Sequence, residues 1–309
     1  MSLQPRSASG WPLTPTPAGV TYPRVLSGEW ASSVRSIAGI LAALVGYALI
    51  VPVVAQMILA IVWAARGRPG SFSAYYTAGL AFDFPAGMLA TQIGLAMLIP
   101  VSLIVVRYIH GRSTRYLHSV QPGLRWRYLV VAALAAVVVL NAVLWISRIG
   151  TPLTWTPQSN IGSWLVIIVI TSPLQAAAEE YFFRGYLMQS LGSIVPNPWF
   201  GVVTSALVFA VFHGIQNPAL FADRFGFGLL AGALVLVTGG LEAGIAAHIV
   251  NNLFAFGYAL FMGGVASAKG TTTISWAGAG WDLLGFGLFG ITAWWLARRF
   301  RLATTTSAP

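Results

Sequence analysis

Long unbroken apolar runs alternate with short polar connectors along nearly the whole chain. A helix that crosses a bilayer needs ~20 mostly apolar residues, because ~30 Å of hydrocarbon is crossed at ~1.5 Å per residue. The pattern predicts eight spans: Ser36–Ala65, Leu80–Ile109, Tyr128–Ile149, Ile161–Leu191, Trp199–Ile215, Phe225–Gly239, Leu241–Met262 and Leu283–Ala297. The fifth to seventh are short, Gly-rich and closely spaced. No fixed-period repeat is present. The predicted fold is all-α, a polytopic transmembrane bundle.

The flanks differ from the spans. Residues 1–34 are rich in Pro, Ser and Thr, and read as a disordered cytoplasmic tail. Residues 302–309 read the same way. Between them, residues 35–301 form one transmembrane helical domain, with its polar motifs at about 160–260.

Composition agrees with a membrane protein. The 309 residues are 57% hydrophobic and only 8% charged, against about 25% in soluble domains. The net charge of +10 would suggest nucleic acid in a soluble chain. Here the Lys and Arg sit between apolar runs, no nucleic-acid or phosphate-loop motif is present, and no nucleic-acid partner is expected. The loop 107–127 and the segment 298–301 carry eight of the sixteen Arg. Arg66, Arg68, Arg148, Arg224 and Lys269 fall on the other side. The positive-inside rule then makes both termini cytoplasmic, in an inner membrane with the lipid bilayer as surroundings. There is no cysteine, which excludes disulfides, thiolate metal sites and a Cys nucleophile.

Against this background the stretch "AAAEEYFFRGYL" stands out. Ionisable groups inside a span cost about 2.5–3.5 kcal/mol each on insertion scales, so they demand a reason. Glu180 and Arg184 are four apart and can pair on one helix face, while Glu179 lies about 100° around the helix. His213 and His248 lie in apolar stretches, and His248 shares a face with Asn252. His110 and His118, in the basic loop, read as solvated. Asn251 reads as packing, Phe209 as a pocket wall, and Asp83, Glu242 and Asp282 as interfacial. Trp294 and Trp295 read as part of an interface belt. Counting from the cytoplasmic ends, Glu179 and His213 fall at ~20 and ~22 Å, but His248 at only ~12 Å.

A carboxylate and two imidazoles suit hydrolysis by activated water. Glu or His takes the proton, and Asn or protonated His stabilises the oxyanion. Two versions stand side by side. One adds a metal, zinc, on His213, His248 and Glu179, a His₂Glu set with an open position. The other has no cofactor. No HExxH is present, and no acid behind either His is evident in the sequence.

"EEYFFR", "FAVFH" and "HIVNN" match the patterns EExxxR, FxxxH and HxxxN, in that order on three separate predicted helices. The set resembles the CAAX prenyl protease and bacteriocin-processing family (CPBP, also called Abi). The resemblance implies an eight-helix intramembrane endopeptidase with a cavity open to the cytosol, cleaving a membrane-associated protein or peptide. It implies Glu179 as general base, His213 as partner for the water, Glu180 and Arg184 positioned around it, and His248 and Asn252 as oxyanion donors. It leaves metal-dependent and glutamate-type chemistry both open. The other readings are a transporter with an ion path, for which no inverted repeat is found, or a non-catalytic scaffold.

Overall fold

The computed structural model describes residues 13–28 and 31–307. The described chain is helical throughout, with only three isolated β-bridges. The helices are α1 (Ser33–Ala65), α2 (Phe72–Leu80), α3 (Pro85–Ile109), α4 (Trp126–Ser147), α5 (Ile161–Ile194), α6 (Pro198–Phe212), α7 (Pro218–Thr238), α8 (Glu242–Ala259), α9 (Val265–Lys269) and α10 (Trp276–Arg299). Eight of them, all but α2 and α9, correspond to the eight predicted spans. Five of these, α1, α3, α4, α5 and α7, are long and apolar enough to cross a membrane by length and composition alone. Helix α6 has only 15 residues. Helix α8 carries Glu242, His248, Asn251 and Asn252 within its length.

Local chemistry moves several predicted boundaries. Phe82 adopts a positive φ of 62° and Pro85 opens a new helix, so the predicted second span starts at Pro85 rather than Leu80, and the short α2 precedes it. Helix α6 stops at Phe212 because Gly214 takes φ 77°, the left-handed ending that glycine permits. Helix α7 starts seven residues earlier than the apolar pattern, at Pro218, where the Asn217 side chain accepts from Leu220 N. Asn caps and Pro at the first turn are strong start signals. Helix α10 likewise starts early, at Trp276, behind the Ser275 cap.

Packing follows a ring. Helices α6, α7, α10, α4, α8 and α5 each touch the next, and α5 closes the ring by packing its C-terminal part on α6; α1 and α3 lean on α5 from outside. The outward faces stay apolar, as Leu41, Val45 and Leu49 on α1 and Leu134 and Val138 on α4 illustrate.

The termini depart from the expected tails. Residues 13–28 are laid against the bundle: Tyr22, Val25 and Leu26 are buried, the Tyr22 hydroxyl donates to Leu117 O, and Arg24 Nη1 donates to Gly192 O. At the other end Thr306 is buried and exchanges hydrogen bonds with residues 17–20. Three apolar side chains and backbone pairing suffice to order a Pro-rich strip that has no apolar run of its own. Residues 1–12, 29, 30, 308 and 309 of the expected tails lie outside the described residues.

The connection between α7 and α8 is inset rather than at the surface. Gly239, Gly240, Leu241 and Glu242 are buried. The 114–125 loop covers them, with Val120 N donating to Gly239 O and Leu241 N to His118 O. A start buried beneath a loop accounts for the shallow depth counted for His248. It also corrects three readings of polar residues. Glu242 is not interfacial but pairs with Arg125 at 2.6 Å. His110 is 4% exposed and shares a hydrogen bond with Tyr186. His118 bonds Tyr181.

Candidate active site

Helix α5 presents the two glutamates just before a change of helical form. Tyr181–Leu187 is π-helical, a local widening that recurs at functional positions. Glu180 and Arg184 pair as their spacing predicts, at 3.0 Å and fully buried. The Arg184 guanidinium lies 4.1 Å from the Phe209 ring centre and 5.2 Å from that of Phe227, so aromatic faces supply part of its stabilisation. The backbone of α8 comes close here: a Cβ on Gly244 would sit 2.9 Å from Glu180 Oε2.

His248 bridges the two glutamates. Its Nδ1 is 2.8 Å from Glu180 Oε1, and its Nε2 is 3.6 Å from Glu179 Oε2. The first is a hydrogen bond, with Nδ1–H donating to the carboxylate; the second is beyond hydrogen-bond length. Glu180 is therefore the acid behind a His that the sequence did not reveal, and it orients the ring as such partners do. Glu179 is 7% exposed, and its Oε2 has no hydrogen-bond partner. Buried polar atoms are nearly always bonded, and the nearest charged group to this one is His248 Nε2.

His213 caps the C-terminus of α6. Its Nδ1 is 2.8 Å from Phe209 O, so Nδ1–H donates to that carbonyl and Nε2 keeps its lone pair. Phe209, read as a wall, thus also holds His213. Asn252 Nδ2 donates to Gln175 Oε1 at 2.8 Å, and Asn251 Nδ2 donates to Asn252 Oδ1 at 3.3 Å. Gln175 was not anticipated. It stands one turn before Glu179, and its polarity inside "SPLQAAAEE" was the available signal. Behind it, Thr171 and Ser172 bond Gln92 of α3.

Glu179, His213, His248, Asn252 and Gln175 all line one cavity of 1060 Å³. Glu180 and Arg184 do not; they lie behind its wall. Arg224, Asp223, Lys269 and Asp282, none of them singled out as site residues from the sequence, also reach the cavity. Its outer end is framed by Arg148, Leu153, Ile215 and the chain from Met262 to Thr272. That end lies on the face remote from the termini. The implied cytosolic opening and the cytoplasmic termini therefore cannot both hold: α6 begins beside the terminal segment, next to Gly192, and ends at His213 at the cavity.

The metal version needs three donors converging on one point at ~2.0–2.2 Å for nitrogen and oxygen. Among the described residues no three His, Cys, Asp or Glu side chains do so. Glu179 and His248 face one another, but His213 does not join them.

The resemblance drawn from the three motifs is borne out by comparison with known proteins. Residues 161–254 match the model of the type II CAAX prenyl endopeptidase Rce1-like family. A relative from Bacillus subtilis (strain 168), the uncharacterized protein YyaK, is 30% identical over 166 residues, which is 50% of this chain and 56% of that protein. The chain thus spans about half the length of the curated relative it matches.

Proposed function

We propose that the protein is an intramembrane endopeptidase that hydrolyses a peptide bond with water activated by Glu179. The observation that carries this reading is the buried Glu179 Oε2, which makes no hydrogen bond and faces His248 Nε2 on the wall of the cavity. The family match over 161–254 supports the reaction class.

In this reading a water molecule lies between Glu179 and the free Nε2 of His213. Glu179 takes its proton as the oxygen attacks the carbonyl carbon. The oxyanion accepts from the second Nδ2–H of Asn252, the first being held by Gln175, and from His248 once its Nε2 is protonated. Glu180 holds that imidazole through Nδ1, and Arg184 in turn holds Glu180. The proton held by Glu179 then passes to the departing amine as the C–N bond breaks. No step is routed through a metal.

Detergent-purified protein, a quenched fluorescent peptide library, a chelator and elemental analysis test the reading. Cleavage that persists in chelator, without stoichiometric metal, is expected. Cleavage abolished by chelator and restored by zinc would replace this scheme with the His₂Glu one. The absence of any cleavage would contradict the peptidase assignment.

A further inference from the structure

We propose that the cavity is loaded from the non-cytoplasmic side of the membrane, so that the substrate is the membrane-proximal part of a protein or peptide lying outside the cytoplasm. The substrate class rests on the peptidase reading; the orientation does not.

Three observations converge. The cavity ends among Arg148, Leu153, Ile215 and Met262–Thr272, all on the face remote from the termini, and Ile215 there is 90% exposed. The opposite face is sealed. Thr21 and Thr305 form a β-bridge, Ser119 forms another with Gly240, and the terminal segments and the 114–125 loop interlock over the buried α7–α8 turn. Tyr22 fills the seal with no exposure at all. Finally, the sealed face carries the Arg-rich 107–127 loop and the Arg298–Arg301 segment. Short arginine-rich loops stay in the cytoplasm during insertion. Turning the cavity to the cytosol would put both on the outside.

The mouth also fits a hydrated peptide better than a lipid chain. Asp223, Arg224, Lys269 and Asp282 bring both signs of charge to the cavity, and such groups face water rather than hydrocarbon when they occur at membrane depth.

The chain has no cysteine, so single cysteines report orientation cleanly. Ile215→Cys and Leu153→Cys mark the mouth, and Gln121→Cys marks the sealed face. The full chain is expressed in a bacterial host, and spheroplasts receive a membrane-impermeant maleimide before or after permeabilisation. Both mouth cysteines are expected to label in intact spheroplasts, with nothing gained on permeabilisation, and Gln121→Cys only afterwards. The reverse pattern overturns the proposal, as does equal labelling of both faces or mouth cysteines that stay silent throughout. Labelling needs no turnover, so a failed orientation and a failed peptidase assignment give separate signals.

Discussion

Glu242 with Arg125 and Glu180 with Arg184 are both buried acid–base pairs, and the bundle completes them differently. Around Glu242 each charge is met: Arg125 donates from its backbone N, Nε and Nη2 to the two carboxylate oxygens and from Nη1 to Thr238 O. Around Glu180 one hydrogen bond joins the pair, while Glu180 Oε2 and Arg184 Nε and Nη2 have no partner. The first pair locks the inset turn. The second is unfinished: Glu180 Oε1 is shared between Arg184 and His248, and the other ring nitrogen of His248 faces Glu179. In the proposed reading the fully satisfied pair holds structure, and the incompletely satisfied one, just behind the cavity wall, serves the site.

Glu179→Gln should break this contrast most sharply. It removes the base and is expected to lower kcat by at least about a thousandfold, in line with the loss of an activating base together with its contribution to charge stabilisation. Because Glu179 Oε2 makes no hydrogen bond and its contact with His248 is as long as 3.6 Å, thermal unfolding in detergent should show the variant at least as stable as wild type, a trade of stability for function. Next come the two arginines. Arg125→Met leaves Glu242 buried and uncompensated, at a cost of about 3–5 kcal/mol, yet the molecules that remain folded should cleave at the wild-type rate. Arg184→Met should lose both stability and turnover, because Glu180 then draws its charge balance from His248. Parallel melting and active-fraction assays separate the two. Equal behaviour would erase the distinction between the pairs.

Asn252→Ala should lower kcat by about a hundredfold, as expected for one oxyanion donor. Gln175→Met should cost less, about tenfold, and nothing further in the Asn252→Ala background. A double-mutant cycle reads this directly, since residues acting through each other are not additive. Additive losses would mean that Gln175 does not work through Asn252.

The smallest effect concerns pH on the sealed face. Burial, with help from Arg35 and Arg112, pushes His110 down to about 4 from its usual 6.5. The unfolded chain therefore binds a proton between pH 6.5 and 4 that the folded chain refuses, and stability should fall as pH drops through that window. Down to pH 5 the loss is on the order of 2 kcal/mol, at ~1.4 kcal/mol per unit. Melting of His110→Asn should be flatter with pH there, and an unchanged slope would remove His110 from this role.

The spans were legible because their apolar runs are long, and the three motifs were legible because charge in a span is costly. The Glu180–Arg184 pair followed from spacing alone. Other features depend on contacts distant in sequence. Nothing around "TYPRVL" shows that Tyr22 will find Leu117, or that Glu242 will meet Arg125 beneath a loop. Gln175 was visible as a polar residue in an apolar run, but its partner Asn252 is on another helix. The direction of the cavity was hidden for the same reason. Each motif has a position along its own helix, but which end of the bundle stays open depends on how the loops and terminal segments close the other.

The central claim is that Glu179 is the base. Turnover of one cleaved peptide by wild type and by Glu179→Gln, both shown to be folded by their melting curves, tests it most directly. The account predicts a folded variant with cleavage reduced by at least about a thousandfold. A folded Glu179→Gln protein that cleaves the same peptide at the wild-type rate would contradict it.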